Sequence, residues 1–213
     1  MNILFLIAHP DDEAYGPYGT IAKLAKDHKV TVFCVCNGER PGNKAVSSER
    51  ILAFKANCEQ LGVEWKIQNN SDLSLEYADT VANVSGIIEH YSPDVVYTHN
   101  ITDLNMDHRL LAEACLVACR PKPECTVKEL YYFELPNFAT TPSTFTPNTY
   151  VDISDFIESK KLALSRYHTE TYDFPDARSI KAVKVLARYR GYAVGIEYAE
   201  AFQLVFAHDR KTR

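Results

Sequence analysis

Residues 3–8, ILFLIA, are apolar at six consecutive positions, and this run constrains the fold more than any other part of the sequence. A strand with one solvated face alternates apolar and polar residues, so an unbroken apolar run of this length predicts a strand buried on both faces. Such strands are typical of parallel sheets that helices cover on both sides. The run therefore predicts an α/β protein with this strand inside the sheet.

Strand-like and helix-like segments alternate along the rest of the chain. Apolar and β-branched runs predict strands at 29–36, 63–67, 94–99, 129–135, 150–153 and 201–206. Periodicity and capping residues predict helices at 13–27, 49–61, 77–91, 107–120, 155–168 and 178–193. Because right-handed crossovers place helices on both faces, this alternation predicts one α/β domain, a three-layer sandwich with a mostly parallel central sheet.

Composition and charge limit the partners of the chain. The net charge of -5 favours neither nucleic acid nor an anionic membrane surface. No apolar run approaches the roughly 20 residues of a membrane span, and the first residues lack the features of a secretory signal. The six cysteines form no CxxC pair, so buried thiols are expected rather than a thiolate zinc site. We therefore expect a cytoplasmic protein.

Two polar loops that follow predicted strands carry most of the candidate chemistry. AHPDDE (8–13) follows the first strand, and HNITDLNMDHR (99–109) follows the fourth. In open α/β sheets, ligands bind beyond the carboxyl ends of the strands. Taken alone, the first loop permits two interpretations, an Asp that caps the next helix or a metal site that also uses His9.

The second loop favours the metal site. His9, Asp12 and His108 supply two imidazoles and one carboxylate, and three protein ligands with an open fourth position are typical of a catalytic zinc site. The spacing of three between His9 and Asp12 can place both side chains on one side of a turn that enters a helix. Asp11 then points elsewhere and is free to act as a base.

The pair AHPDDE at 8–13 and DLNMDH at 103–108 resembles the LmbE-like, or PIG-L, family of zinc-dependent N-acetylglucosaminyl deacetylases. The resemblance extends to AFKANCEQLGV, to YVDIS with its Lys-rich helix, and to EYAEAFQLV near the C-terminus. It implies a Rossmann-like fold. The order of elements predicts a single domain over residues 1–213, with a core at 1–135 and a C-terminal part at 136–213 that holds helices and the final strand. The Pro-rich segment 136–149 in this part is predicted to be a lid loop. The resemblance also implies hydrolysis of an N-acetyl group from a glucosamine unit of a small-molecule substrate.

Carried onto the matching positions, the resemblance makes His9, Asp12 and His108 the Zn²⁺ ligands and Asp11 the general base. Several family members have a histidine three residues before the third ligand, where this sequence has Asn105. An amide can donate a hydrogen bond to an oxyanion but cannot give a proton. The identity of the general acid is therefore open, and protonated Asp11 is the economical choice.

Further polar residues have candidate roles. The resemblance implies substrate contacts for Arg50 and His168, with a solvated helix residue and a helix-end histidine as the alternatives. Asp103 and Asp107 are candidates to orient a ligand histidine, and either can instead cap the helix at 107. His99, at a strand end, is interpreted as a structural histidine.

Two other functions remain open at this stage. Two histidines and one carboxylate also describe the facial triad of non-haem iron(II) enzymes, but no site for a redox co-substrate is evident and the spare Asp11 favours hydrolysis. A non-catalytic sugar- or nucleotide-binding module is the other possibility, although the first loop lacks GxGxxG. The sequence names neither the N-acetyl sugar conjugate nor the oligomeric state, and a homo-oligomer is allowed because family members often associate.

Overall fold

The computed structural model describes residues 1–40, 44–136 and 145–209. The strands are β1 (Asn2–Ile7), β2 (Lys29–Cys36), β3 (Glu64–Asn70), β4 (Val95–His99), β5 (Glu129–Phe133), β6 (Thr149–Asp152) and β7 (Ala199–Ala207). The helices are α1 (Asp12–Tyr15), α2 (Tyr18–Leu24), α3 (Lys44–Leu61), α4 (Tyr77–Tyr91), α5 (Met106–Ala118), α6 (Ile157–Ser165) and α7 (Ile180–Tyr192). The strands form one sheet in the order β3-β2-β1-β4-β5-β7-β6.

Pairing in the sheet is parallel except at one end. β1 pairs in parallel with β2 on one side and with β4 on the other, while β7 runs antiparallel to both β5 and β6. β1 therefore lies inside the sheet, and its residues from Ile3 to Ile7 are all buried. The predicted α/β fold with a mostly parallel central sheet is confirmed.

Alternate side chains of β1 enter two different hydrophobic cores. Ile3, Phe5 and Ile7 pack with side chains of α3 and α6, whereas Leu4 and Leu6 pack with side chains of α4 and α5. Helices therefore cover both faces of the strand, which explains its unbroken apolar sequence. All six cysteines are buried and form no disulfide, as expected.

Three predicted helices differ from the structure, and one of them, α3, begins at Lys44 rather than at residue 49. The helix predicted at 13–27 is divided into α1 and α2 at Gly16-Pro17, because proline lacks the backbone N–H that a helix interior needs. The helix predicted to follow a Ser154 cap is also shorter. The N–H and hydroxyl of Ser154 both donate to Asp152 Oδ1, a 3-10 turn follows, and α6 ends at Ser165.

A buried ion pair joins the C-terminal part of the chain to the first helices. Lys160 of α6 donates to Glu200 Oε1 of β7 at 2.6 Å, and both side chains are buried. Glu200 also accepts hydrogen bonds from the backbone N–H groups of Gly19 and Thr20 in α2, at 2.8 and 2.7 Å. These contacts fix α6 and β7 against the helices that follow β1.

The predicted lid loop and the predicted boundary at residue 135 are not tested by the structure. Residues 137–144, most of the lid loop predicted at 136–149, lie outside the described residues, and the boundary at residue 135 stays a prediction. Among the helices that the structure describes, none combines the length and the apolar character needed to cross a bilayer.

The direct pairing of β1 with β4 positions the two polar loops. The strands run parallel, so their carboxyl ends lie at the same edge of the sheet. The loops that follow Ile7 and His99 therefore begin beside each other, although about 90 residues separate them in the sequence.

The Lys160–Glu200 pair allows a direct test of this packing. Lys160→Gln leaves Glu200 buried without its cation, and we expect the free energy of unfolding to fall by about 3–5 kcal/mol. Lys161→Gln is the matched control, because Lys161 pairs with the exposed Glu158 and its loss should change stability little. Urea unfolding followed by circular dichroism measures both variants. Equal losses would contradict the structural role of the buried pair.

Candidate metal centre

The loop after β1 turns sharply and brings His9 and Asp12 together. The backbone N–H of His9 donates to Asp12 Oδ2 at 2.7 Å. Asp11, between them, has a φ of 141°, a conformation that residues other than glycine rarely adopt. Asp11 occupies the N-cap position of α1, yet its side chain makes no capping hydrogen bond. The helix-cap interpretation of this loop is therefore wrong, and its carboxylates make other contacts.

Asn105 shapes the second loop. Its Oδ1 accepts a hydrogen bond from the N–H of Asp107 at 2.8 Å and so caps α5. Asp103 Oδ1 in turn accepts a hydrogen bond from the N–H of Asn105 at 2.9 Å. The cap that the sequence offered to Asp103 or Asp107 is thus formed by Asn105, and it places His108 in the first turn of α5.

The structure brings the three predicted metal ligands together. His9 Nδ1 lies 3.1 Å from His108 Nε2, and Asp12 Oδ1 lies 3.5 Å from the same nitrogen. All three residues are buried. Ligand atoms that lie about 2.0–2.1 Å from a tetrahedral zinc ion stand about 3.3 Å apart, so these separations fit one ion. Two imidazoles and a carboxylate are also a donor set of catalytic zinc sites.

A carboxylate lies behind each ligand histidine. Asp107 Oδ2 is 2.9 Å from His9 Nε2, and Asp103 Oδ1 is 3.2 Å from His108 Nδ1. Each contact engages the ring nitrogen outside the ligand group and so orients the other nitrogen. Burial by itself lowers the pKa of His9. The contacts with Asp107 and Asp12 outweigh this effect and raise the pKa to about 10. The cluster therefore favours positive charge at this point, as a divalent cation would supply.

His99 lies behind the ligand group. Its ring stacks on that of His108 with the centroids 4.0 Å apart, and its Nε2 accepts a hydrogen bond from the N–H of Ala8 at 2.9 Å. Burial, followed by the nearby His108, lowers the pKa of His99 to about 4. The ring is therefore neutral at pH 7, which fits the structural role predicted for it.

A second group of buried ligand atoms belongs to His9, Cys36 and Asp72. The nitrogen of His9 nearest this group is Nε2, which is 3.8 Å from Asp72 Oδ1 but already contacts Asp107 at 2.9 Å. Burial also raises the pKa of the Cys36 thiol, which disfavours the thiolate form that binds metal. The group of His9, Asp12 and His108 is therefore the better candidate.

Two arginines hold the side chain of Asp11 beside the ligand group. Its Oδ2 accepts a hydrogen bond from Arg178 at 2.5 Å, and its Oδ1 lies 3.4 Å from Arg50 Nη2. The backbone N–H of Asp11 donates to Glu13 Oε2 at 3.1 Å, which stabilises the unusual φ. Asp11 lines the same cleft as His9 and His108 without belonging to the ligand group, the place that a general base requires.

Glu13, to which the sequence assigned no role, is fully buried. Its Oε1 accepts hydrogen bonds from Asn57 Nδ2 at 2.9 Å and from the Tyr167 hydroxyl at 2.5 Å. Burial raises the pKa of Glu13 to about 7, although these two hydrogen bonds lower it. Glu13 thus ties the first loop to α3 and to the segment after α6.

Arg50 and His168, the two predicted substrate contacts, lie in different surroundings. Arg50 is 3% exposed and donates hydrogen bonds to three protein oxygens, one of them Asp72 Oδ2 at 2.9 Å, so its contact with substrate stays a prediction. The substrate contact expected of His168 stays a prediction. Within the described residues, His168 is exposed after the end of α6 and lies outside the lining of both clefts at the ligand group.

Two clefts open on the ligand group and share part of their walls. The apolar cleft, about 310 Å³, has Leu104, Leu135 and Pro136 in its lining. The arginine cleft, about 250 Å³, is lined by Arg40 and Arg50, which do not line the apolar cleft, and by Arg178, which lines both. The residues that line both are Asp12, Asn105, His108 and Arg178.

Arg178 and Glu170 were missed by the sequence prediction. Both lie in the segment between α6 and α7. Arg178 donates a hydrogen bond to Asp11, and Glu170 accepts one from Arg40. No motif or periodic spacing links this segment to the first loop. Only the tertiary fold brings it there.

Comparison with protein families identifies relatives of the chain. The family model described as PIG-L, GlcNAc-PI de-N-acetylase, matches residues 4–119. A probable N-acetylglucosaminyl-phosphatidylinositol de-N-acetylase of Schizosaccharomyces pombe is 31% identical over 107 residues, which is 46% of this chain and 42% of that protein. The uncharacterized deacetylase YaiS of Escherichia coli is 26% identical over 175 residues, 78% of this chain and 90% of its own length.

Solved structures share the fold. N,N'-diacetylchitobiose deacetylase of Pyrococcus horikoshii superposes with a TM-score of 0.79 at 20% identity, covering 96% of this chain and 83% of its own. The 4-carboxy-2-hydroxymuconate hydratase GalB of Pseudomonas putida superposes with a TM-score of 0.77 at 22% identity, covering 100% and 99%. A deacetylase and a hydratase thus share this fold, so the reaction has to be argued from the site.

Asp107→Asn tests whether the carboxylates orient the ligand histidines. The variant removes the charged partner of His9 Nε2, and we expect the affinity for zinc to fall about 10- to 100-fold. Competition with a chromogenic chelator measures this affinity. Asp79→Asn, on an exposed position of α4, is the control and should bind zinc as the unmodified protein does. An unchanged affinity in Asp107→Asn would contradict the orienting role.

Proposed function

Because this chain belongs to the PIG-L family of de-N-acetylases, we propose that it is a zinc-dependent N-deacetylase. Its substrate is an N-acetylglucosamine-type sugar or conjugate, and its products are acetate and a free amine. The observation that carries the proposal is the convergence of His9 Nδ1, His108 Nε2 and Asp12 beside a separate carboxylate. Metal-assisted amide hydrolysis requires a metal-binding group and a nearby carboxylate that acts as the general base.

This donor set fits zinc, and His9, Asp12 and His108 would hold it. When bound, zinc polarises a carbonyl and lowers the pKa of a water molecule toward about 7. Asp103 and Asp107 keep the two imidazoles oriented through their outer nitrogens. Iron(II) chemistry would use the same ligands but gives Asp11 no task, so hydrolysis accounts for more of the site.

Asp11 is the residue that moves protons. Its carboxylate accepts the proton of the attacking water and then returns it to the nitrogen of the breaking C–N bond, so that one water and one amide give acetate and an amine. Arg178, Arg50 and Glu13 hold Asp11 in place during both transfers. Asn105 keeps its Oδ1 on the helix cap, which leaves its Nδ2 as a donor toward the developing oxyanion.

The proposal also covers the partners, location and assembly of the protein. The substrate is a small amino-sugar molecule, nucleic acid is not a partner, and no helix of the described residues is able to span a membrane. We infer a cytoplasmic location, and a homo-oligomer stays a possible assembly. The single-domain organisation of residues 1–213 belongs to the same proposal, because the C-terminal part contributes Arg178 to Asp11.

A panel of N-acetylated sugars and conjugates tests this function through the release of free amine. We expect hydrolysis by the zinc-loaded protein, loss after treatment with a chelator, and recovery when Zn²⁺ is added. Oxygen-dependent turnover without amine release would favour the iron enzyme. Binding of a sugar without turnover over any metal would favour the non-catalytic module.

Asp11→Asn separates the base from the metal ligands. We expect kcat to fall about 10²- to 10⁴-fold while zinc content is retained, because an amide cannot accept the proton of water. His108→Ala should instead lose the metal. Asp27→Asn, at an exposed position near the opposite edge of the sheet, is the control and should keep full activity. Near-normal turnover in zinc-loaded Asp11→Asn would contradict the assignment of the base.

A further inference from the structure

We propose that the arginine cleft binds an anionic group of the substrate, a carboxylate or a phosphate, between Arg40 and Arg178. The inference rests on the proposed function and narrows its substrate to N-acetyl amino sugars that carry such a group. The supporting observation is that the partly exposed guanidinium groups of Arg40 and Arg178 both contact the buried carboxylate of Glu170.

Glu170 fixes the positions of the two arginines. Its side chain is 1% exposed, and its Oε2 accepts a hydrogen bond from Arg40 Nη2 at 2.6 Å and lies 3.6 Å from Arg178 Nη2. Because both guanidinium groups meet the same oxygen atom, they are close to each other. Like charges this close are stabilised by the buried carboxylate, and a second anion on the open side would stabilise them further.

Both arginines remain accessible from the arginine cleft. The side chain of Arg40 is 46% exposed and that of Arg178 is 36% exposed, and both line the cleft that contains His9 and His108. The Nε of Arg178 is buried and has no hydrogen-bond partner among the described residues. Arg50, in contrast, is 3% exposed and donates to protein oxygens, so it is not available to a ligand in the same way.

Tyr15 pre-organises the Arg178 side of this site. The guanidinium carbon of Arg178 lies 4.5 Å from the centroid of the Tyr15 ring. The Tyr15 hydroxyl lies 2.9 Å from the backbone oxygen of Glu170 and 3.1 Å from that of Arg178, and its single O–H can donate to either. The guanidinium group is therefore held before any ligand arrives, which reduces the entropy lost on binding.

The chemistry of the two clefts favours an anion over a neutral sugar at this place. A guanidinium group is planar and matches a carboxylate or phosphate with two parallel hydrogen bonds. Arg178 lines both clefts, but Arg40 lines only the arginine cleft, so the pair of guanidinium groups is presented there and not beside Leu104 and Leu135. The two clefts meet at His108 and Asn105, so a conjugate can place its amide there and its charged end toward Arg40.

The alternative is that Arg40 and Arg178 only neutralise Glu170 and Asp11. The two explanations differ in how Arg40 affects the discrimination between substrates. If Arg40 only supports the fold, its loss changes turnover of neutral and anionic substrates by the same factor. If Arg40 binds the anion, its loss lowers kcat/KM selectively for the anionic substrate, mainly through KM.

The experiment compares three substrates, neutral N-acetylglucosamine, N-acetylglucosamine 1-phosphate and the carboxymethyl glycoside of N-acetylglucosamine. For the zinc-loaded protein we expect kcat/KM to be at least about tenfold higher for one of the charged substrates, and the preferred one identifies phosphate or carboxylate. In Arg40→Gln this ratio should fall about tenfold or more, and Arg40→Lys should restore part of it. A ratio that Arg40→Gln leaves unchanged overturns the proposal.

The matched control is Arg120→Gln, an exposed arginine beyond the end of α5, roughly 20 Å from the start of that helix. Its charged-to-neutral ratio should equal that of the unmodified protein. An equal fall in Arg120→Gln would assign the effect to net charge and overturn the anion site. Circular dichroism of each variant verifies that it is folded.

Direct binding distinguishes a failure of this site from a failure of the proposed function. Calorimetry measures binding of N-acetylglucosamine 1-phosphate and of the carboxymethyl glycoside to the zinc-free protein and to zinc-free Arg40→Gln. Binding that depends on Arg40, without hydrolysis when zinc is present, would reject the deacetylase and keep the anion site. Hydrolysis with no charge preference and no Arg40-dependent binding would keep the deacetylase and reject the anion site.

Discussion

The parallel pairing of β1 with β4 is the constraint on which the candidate site depends. It places the loops after Ile7 and His99 at the same edge of the sheet and brings His9 Nδ1 within 3.1 Å of His108 Nε2. The pairing is possible because β1 is apolar on both faces and can be buried inside the sheet. The buried strand is therefore the support on which two distant loops can form one metal-binding group.

Carboxylates and arginines arranged around this group determine what it can do. Asp107 and Asp103 orient the two histidines. Asp11 lies outside the ligand group, where a hydrogen bond from Arg178 holds its carboxylate. Asp11 contacts Arg178 and Arg50, and Asp72 contacts Arg50, because an unpaired buried charge would cost several kcal/mol. The C-terminal part of the chain contributes to this balance through Arg178 and Glu170, and it is fixed by the Lys160–Glu200 pair.

The sequence predicted the parts of this arrangement that depend on local patterns. The central strand, the order of elements and the group of His9, Asp12 and His108 follow from an apolar run and two short motifs. The interruption at Gly16-Pro17 was underestimated because the apolar pattern continues across it, although Pro17 interrupts the backbone hydrogen bonding. The contacts of Arg178 could not be predicted, because they join segments about 170 residues apart with no shared spacing. The exposure of His168 likewise depends on where α6 ends, which the periodicity did not determine.

The central claim is that two histidines and one aspartate, and no cysteine, bind the metal. X-ray absorption at the zinc edge of the protein loaded with one equivalent of Zn²⁺ measures the ligand atoms directly. We predict nitrogen and oxygen neighbours at about 2.0–2.1 Å, with the outer-shell scattering of two imidazoles. A sulfur neighbour at about 2.3 Å would place the metal at His9, Cys36 and Asp72 instead and would contradict the account.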